Sequence, residues 1–301
     1  MSALSMGFAA GIIENPDTGE APGWSDVRTW AQLSEEHGFD TFWVPDELVW
    51  EDAEQPDRTA GWWECVAMCA AVAATTETIQ VGSWVLSALH RNPGITVKAV
   101  ETLDEISGGR FVFGFGSGHA GRQGEAFGFP LDLTVGRYEE ALNIVVPLLR
   151  DGQADYSGEF HSAVRQQSRP RGPSCGTIPL VLGGHGPRTI RLAVQHADIW
   201  SAYATSSSQP EAFADRLKLD DEACERHGRD PADIGRSVGV MVLLPGTEPG
   251  WLTSSNEPVA GSREEIAETL AAFASMGFDS IEVMIDGDPA EGIPVLGEII
   301  E

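Results

Sequence analysis

The sequence predicts one (β/α)8 barrel, and three observations carry that reading. Buried strands and amphipathic helices alternate along all 301 residues without a break in composition. Residues 79–119 read as a complete strand, crossover helix and strand, because two β-branched apolar runs flank one helix-period segment. The third is an internal repeat, HGFDTFWV at 37–44 and MGFDSIEV at 276–283. Both copies read as helix-to-strand joints, in which Gly makes the left-handed exit, Phe plugs the helix against the sheet and Asp opens the strand. An open doubly wound sheet is the structural alternative.

Taken in order, the expected strands are 5–13, 40–44, one starting at 79, one starting at 110, 178–182, 199–204, 237–244 and 280–285. The first helix is expected at 25–37, with Val27, Trp30, Ala31 and Ser34 inward and Gly38 ending it; the second spans about 61–75. Asn92 caps the third, Pro93 takes its first position and Ser107-Gly108-Gly109 closes it. A helix after Thr134 carries Tyr138, Leu142, Val145 and Leu149, and Pro147 is expected to kink its last turn. Helices at 187–196 and 209–227 follow, and Ser262 with Glu265 forms a capping box before Ile266, Leu270 and Phe273. The stretch 151–177, rich in Gly, Ser, Pro and Arg, reads as an irregular insertion over the barrel mouth within a single domain of 1–301. With the loop 245–260 and its Trp251, it is expected to shape a substrate pocket.

A net charge of −27, from 19 Lys+Arg against 46 Asp+Glu, disfavours nucleic acid and anionic membrane surfaces as partners. The longest apolar run, CVAMCAAVAA at 65–74, is about half of a membrane span. The N-terminal stretch reads as a first strand, since it has no basic region followed by a long apolar one; a cytoplasmic location is expected. Cys65, Cys69, Cys175 and Cys224 form no CxxC pair and read as buried free thiols. No metal is expected, and the first strand lacks the HxH ligands of a metal-dependent hydrolase.

Parallel strands open their C-terminal ends on one side, so 87–91 and 116–119 should face one cavity. Gly183-Gly184-His185-Gly186-Pro187 is the candidate phosphate cradle: glycines after a buried strand bring backbone N–H groups to an anion, and the helix opening at Pro187 adds its positive end. Such loops are also common plain turns. The chain has no GxxxxGK[ST] motif, and GFGSGH at 114–119 is a weak dinucleotide signature because no helix start is evident close behind it. Asp46, directly after Val44-Pro45, sits at a strand end and is a candidate coenzyme contact. His90 could bind phosphate or cap its loop.

Five ordered blocks carry a family resemblance: GFDTFWVPDE, GWWECVAMCAAVAATTETIQVGS, HRNPGITVKAVETLDEISGGRFVFGFGSG, EAFGFPLDLTVGRYEEAL and IPLVLGGHGPRTIRLAVQHADIW. Together they resemble the bacterial luciferase-like family, strongly to about residue 204 and weakly beyond. The resemblance implies a barrel whose mouth holds a reduced flavin or the deazaflavin coenzyme F420. The Trp-Glu-Cys block and the arginine-rich, lysine-poor makeup resemble the deazaflavin-using branch.

By the same resemblance, coenzyme contacts are expected at Asp46, Trp84, Val85, Ser117, Gly118, Gly183, Gly184, His185 and Gly186, and the Trp84-Val85 peptide is expected to be cis. Relatives resembling the sugar-phosphate dehydrogenase of the family carry His after the strand-two Asp and Glu after the fourth strand. Here Glu47 and His119 stand there, with the residue types exchanged. Facing each other, they could handle a proton, and pairing would raise the His and lower the Glu. The resulting expectation is an oxidoreductase moving hydride between F420 and a small organic molecule (C=C, C=N or carbonyl/alcohol). An FMN-dependent monooxygenase and a non-catalytic flavin-binding relative are the alternatives, and a homodimer is the candidate assembly.

Overall fold

The computed structural model describes residues 4–52, 55–119, 121–253 and 256–300. Among them, eight parallel strands close into a barrel: β1 Ser5–Ala9, β2 Thr41–Val44, β3 Gln80–Ser83, β4 Phe111–Gly116, β5 Leu180–Gly183, β6 Ile199–Tyr203, β7 Gly235–Leu243 and β8 Ser280–Ile285. Each pairs with its sequence neighbour, and β8 returns to β1 in the register Ser5 to Ser280. The doubly wound alternative is thereby excluded.

The main helices are α1 Trp24–Glu36, α2 Cys65–Ala73, α3 Pro93–Ser107, α4 Gly121–Phe127, α5 Thr134–Arg150, α6 Pro187–His196, α7 Ala214–His227, α8 Arg263–Met276 and α9 Pro289–Ile300. Where capping chemistry is explicit the bounds match expectation: Asn92 Oδ1 accepts from Gly94 N and Ile95 N, and Ser262 and Glu265 exchange reciprocal bonds. At both repeat joints Gly38 and Gly277 take φ of 79° and 100°, and Phe39 and Phe278 are buried. The Asp does more than open a strand. Asp40 Oδ2 accepts Met6 N–H of β1 at 2.8 Å, Asp279 Oδ2 accepts Arg236 N–H of β7 at 2.9 Å, and Asp198 does the same for Leu180 N–H of β5 at 2.8 Å.

Several expectations need correction. The first strand ends at Ala9, and the segment expected as helix 209–227 begins with a 3-10 turn, Pro210–Phe213. The second helix starts only at Cys65, because a short hairpin of Val49–Glu51 with Thr59–Gly61 comes before it. Stretch 151–177 is only partly irregular, and its hairpin tip at His161 borders the Ala88–Asn92 loop beside the mouth. It holds an antiparallel hairpin, Gln153–Ser157 with Ser162–Gln167, followed by a strap in which Arg171 Nε and Gly172 N bond Glu101 of α3. Cys175 is exposed, unlike Cys65, Cys69 and Cys224. Helix α5 runs through Pro147 to Arg150. Among the described residues no helix is long and apolar enough to cross a membrane.

A large apolar shell lies between barrel and helices, and a smaller cluster of Ala9, Trp43, Val112, Val181, Met241 and Met284 fills the lumen. Large and small residues interdigitate there. A Cβ on Gly7 or Gly82 would lie 2.3 or 2.2 Å from the Trp43 indole, and one on Gly239 would lie 2.2 Å from Trp84.

Candidate coenzyme and proton-transfer site

The C-terminal mouth opens into a cavity of about 1000 Å3. It lies where a barrel places its variable loops, and its size is that of a pocket for a drug-sized or coenzyme-sized molecule. No residue of 151–177 lines it among the described residues; its roof comes from the 49–61 hairpin and α4. Behind the hairpin, Trp50 packs on Trp251 of the loop 245–260, with ring centroids 5.3 Å apart.

One wall is the bulge after β3. The Trp84-Val85 peptide is cis, and Trp84 points into the lumen, edge-on to Tyr203 with centroids 5.4 Å apart, so it is not packed against a helix. The glycines of β4 make room for this bulge. A Cβ on Gly114 would meet Ser83 O at 2.0 Å, one on Gly116 would meet Val85 Cγ2 at 2.7 Å, and one on Gly118, at φ 66°, would meet Ser87 Oγ at 2.1 Å. That packing explains GFGSGH without a dinucleotide. Contrary to expectation, a helix does follow closely, since α4 begins at Gly121. Ser117 and Gly118 line the cavity beside the bulge.

The β5 loop forms another wall, where Gly183, Gly184, His185 and Gly186 all line the cavity together with Arg188 and Thr189. Gly186 caps α6, and the Thr189 hydroxyl accepts its N–H at 3.2 Å and donates back to its carbonyl at 3.0 Å. Trp200 Nε1 donates to Gly184 O at 3.0 Å and holds the loop from beneath. First-turn amides of α6 have no partner within their own helix, so the loop end presents N–H groups and a positive dipole. Partial desolvation and the Arg216 guanidinium push the His185 imidazole down, which keeps it neutral near pH 7.

Asp46, the candidate coenzyme contact, lines the cavity and is tied to its own chain. Its side chain is fully buried, Oδ2 accepts Ser87 N–H at 2.8 Å and Arg91 Nη1 at 2.7 Å, and Oδ1 accepts Arg91 Nη2 at 2.9 Å. His90 Nδ1 adds a contact at 3.1 Å, so His90 ties down its loop. Burial opposes the charge, yet the His90 and Arg91 donors outweigh it and hold the Asp46 carboxyl below its ordinary range.

Glu47 and His119 do come together, with Oε1 and Nδ1 3.4 Å apart. The residue that joins them, Gln123, has no signal in the sequence beyond its place in a short helix after β4. Its amide is buried; Nε2 donates to Glu47 Oε2 at 2.7 Å and lies 3.1 Å from His119 Nε2, while Oε1 accepts Leu48 N–H at 3.0 Å. The Leu48 bond fixes which end of the amide is oxygen. His119 Nε2 is then an acceptor, and its proton sits on Nδ1, toward Glu47. The expected lowering of Glu47 does not hold. Burial pushes its carboxyl up and outweighs the attraction of His119 and the Gln123 bond.

Fold and cavity thus define a barrel with a broad mouth bordered by a glycine loop at a helix N-terminus. The chain belongs to the luciferase-like monooxygenase family, whose model matches residues 6–248. It is 28% identical over 188 residues to the 5,10-methylenetetrahydromethanopterin reductase of Archaeoglobus fulgidus, covering 62% of this chain and 51% of that one. With the F420-dependent glucose-6-phosphate dehydrogenase of Nakamurella multipartita it shares 29% identity over 207 residues, 65% of this chain and 56% of that one. The chain therefore spans little more than half the length of either relative. In fold it matches an F420-dependent secondary alcohol dehydrogenase solved with an F420–acetone adduct, at a TM-score of 0.81 and 17% identity over 99% of this chain and 98% of that one.

Proposed function

We propose that this protein is an F420-dependent oxidoreductase that moves a hydride between the coenzyme and a small organic molecule carrying a C=C, C=N, carbonyl or alcohol group. The observation that carries the reading is the glycine-lined cavity between the α6 N-terminus and the Glu47–Gln123–His119 cluster. The F420 dependence of the glucose-6-phosphate dehydrogenase relative and of the secondary alcohol dehydrogenase that shares this fold supports it.

The residues present fit such a coenzyme. Gly183, Gly184 and Gly186, with Arg188, would take the phosphate at the α6 end, and a side chain on Gly184 would fill that cradle, its Cβ lying 2.5 Å from Thr189. Trp84, Val85, Ser117 and Gly118 would back the ring system, with His185 at the loop edge. Asp46 contributes by clamping the Ser87–Arg91 loop at the cavity wall. When bound, F420 supplies or accepts a hydride; it needs positioning more than a protein nucleophile.

Protons are the work of the chain. Glu47, half-buried and with its carboxyl raised by burial, would take up and release the proton at the cavity wall; His119, with its side chain 64% exposed, would exchange it with solvent; Gln123 keeps the two aligned. Fluorescence titration with F420 and FMN tests the reading. Micromolar F420 binding with FMN at least tenfold weaker is expected; FMN binding without F420 binding would replace it by the monooxygenase reading.

A further inference from the structure

We infer that the β2 side of the cavity takes a ring-bearing organic substrate without anionic groups and selects against carboxylated or phosphorylated ones. The inference rests on the coenzyme reading only for which side the substrate occupies. The α6 end offers backbone amides and Arg188, which is itself paired with Glu139, whereas β2 lies three strands away around the barrel. There the lining is Val49, Trp50 and Trp62, with Trp84, Tyr203 and Met284 continuing the apolar surface inward.

Trp50 is held from behind. Trp251 packs on it with ring planes at 58°, and the Arg58 guanidinium lies 5.6 Å from its ring centroid. Arg58 is itself tied by ion pairs to Asp17 and Asp52, at 2.7 and 2.8 Å. An indole braced in this way offers a broad apolar face with little conformational entropy left to lose, which suits a flat ring.

Charge disfavours anions here. Asp46, Glu47, Glu51 and Asp52 all border this side, and Arg91 and Arg58 balance only Asp46 and Asp52. Against Glu47 and Glu51 stands Arg122, whose Nη1 donates to Pro56 O at 3.2 Å. A carboxylate or phosphate brought here would shed its hydration beside two carboxyl groups and gain one exposed guanidinium in return. A net charge of −27 lowers the local concentration of anions further.

The test is calorimetric titration of the F420-saturated protein with two similar probes: naphthalene-2-carboxamide and 2-naphthoate. The carboxamide should bind at least about tenfold tighter than the naphthoate. Trp50→Ala should cost the carboxamide about tenfold or more, Trp50→Phe should recover most of it, and F420 affinity should stay near wild type in both. Glu51→Lys should narrow the gap between carboxamide and naphthoate. Naphthoate binding as tightly as the carboxamide, no measurable carboxamide binding, or unchanged binding in Trp50→Ala overturns the inference. If F420 itself does not bind, the coenzyme reading fails, and the same titrations without coenzyme still decide the character of this wall.

Discussion

Gln123 turns two surface-typical residues into a unit. Neither Glu47 nor His119 is unusual alone, and the sequence places them 72 positions apart with nothing to say they meet. What was legible was their position at the ends of two strands with one strand between them; what was not was the amide between them or the balance of burial against attraction that raises Glu47. Asp46 shows the same limit. Its place after Val44-Pro45 marked it as important, but its bidentate partner Arg91 lies 45 residues on and only the fold brings it there. His119→Ala should lower turnover by at least about tenfold, within the range of a positioned acid or base, while F420 affinity stays close to wild type. In the reducing direction, rate should fall as pH rises past the raised Glu47 value, because the proton to be donated is lost. Glu47→Gln should abolish that limb, and a pH–rate profile of both variants checks it. Full turnover of His119→Ala at every pH would move the proton source to solvent.

Elements were readable wherever local chemistry marks their ends. Asn92-Pro93 and the Ser262/Glu265 box fixed α3 and α8, because each signal is made of adjacent residues. The 49–61 hairpin left no such mark: its strands are three residues each and lack an apolar alternation, and their pairing is set by the cavity roof they build. The β5 loop was legible as a glycine run, but its dependence on Trp200 and Thr189 was not. Gly184→Asp would force a side chain onto Thr189 and bring a carboxylate to the anion position. Coenzyme affinity should fall about tenfold or more while secondary structure by circular dichroism is retained. Unchanged affinity would place the phosphate elsewhere.

At the scale of the whole barrel, one buried acid stands apart from the mouth chemistry. Glu282 on β8 is almost wholly buried; Ser280 Oγ donates to its Oε1 at 3.3 Å, and the Ser237 hydroxyl lies close enough to lower its carboxyl slightly. Burial pushes its carboxyl up to about 7. The folded protein therefore binds this proton more tightly than the unfolded chain does, so stability is lost as pH rises from about 4.5 through about 7. A shift from 4.5 to about 7 corresponds to about 3 kcal/mol. Glu282→Gln should remove that slope: relative to wild type, the variant should gain stability between pH 5 and pH 8 in urea melts. A difference independent of pH would show that Glu282 is ionised throughout.

Asp40, Asp198 and Asp279 give the barrel a further property. Each sits where a helix hands over to a strand and captures the leading amide of the strand before it, so one short carboxylate stitches two consecutive β/α units at the foot of the molecule. These seams lie at the opposite end from the cavity and share no residue with it. The cloth is sewn at the hem and left loose at the collar. Loops at the mouth can be cut, lengthened or exchanged without unpicking a seam, which is how one barrel pattern comes to be tailored to many different molecules.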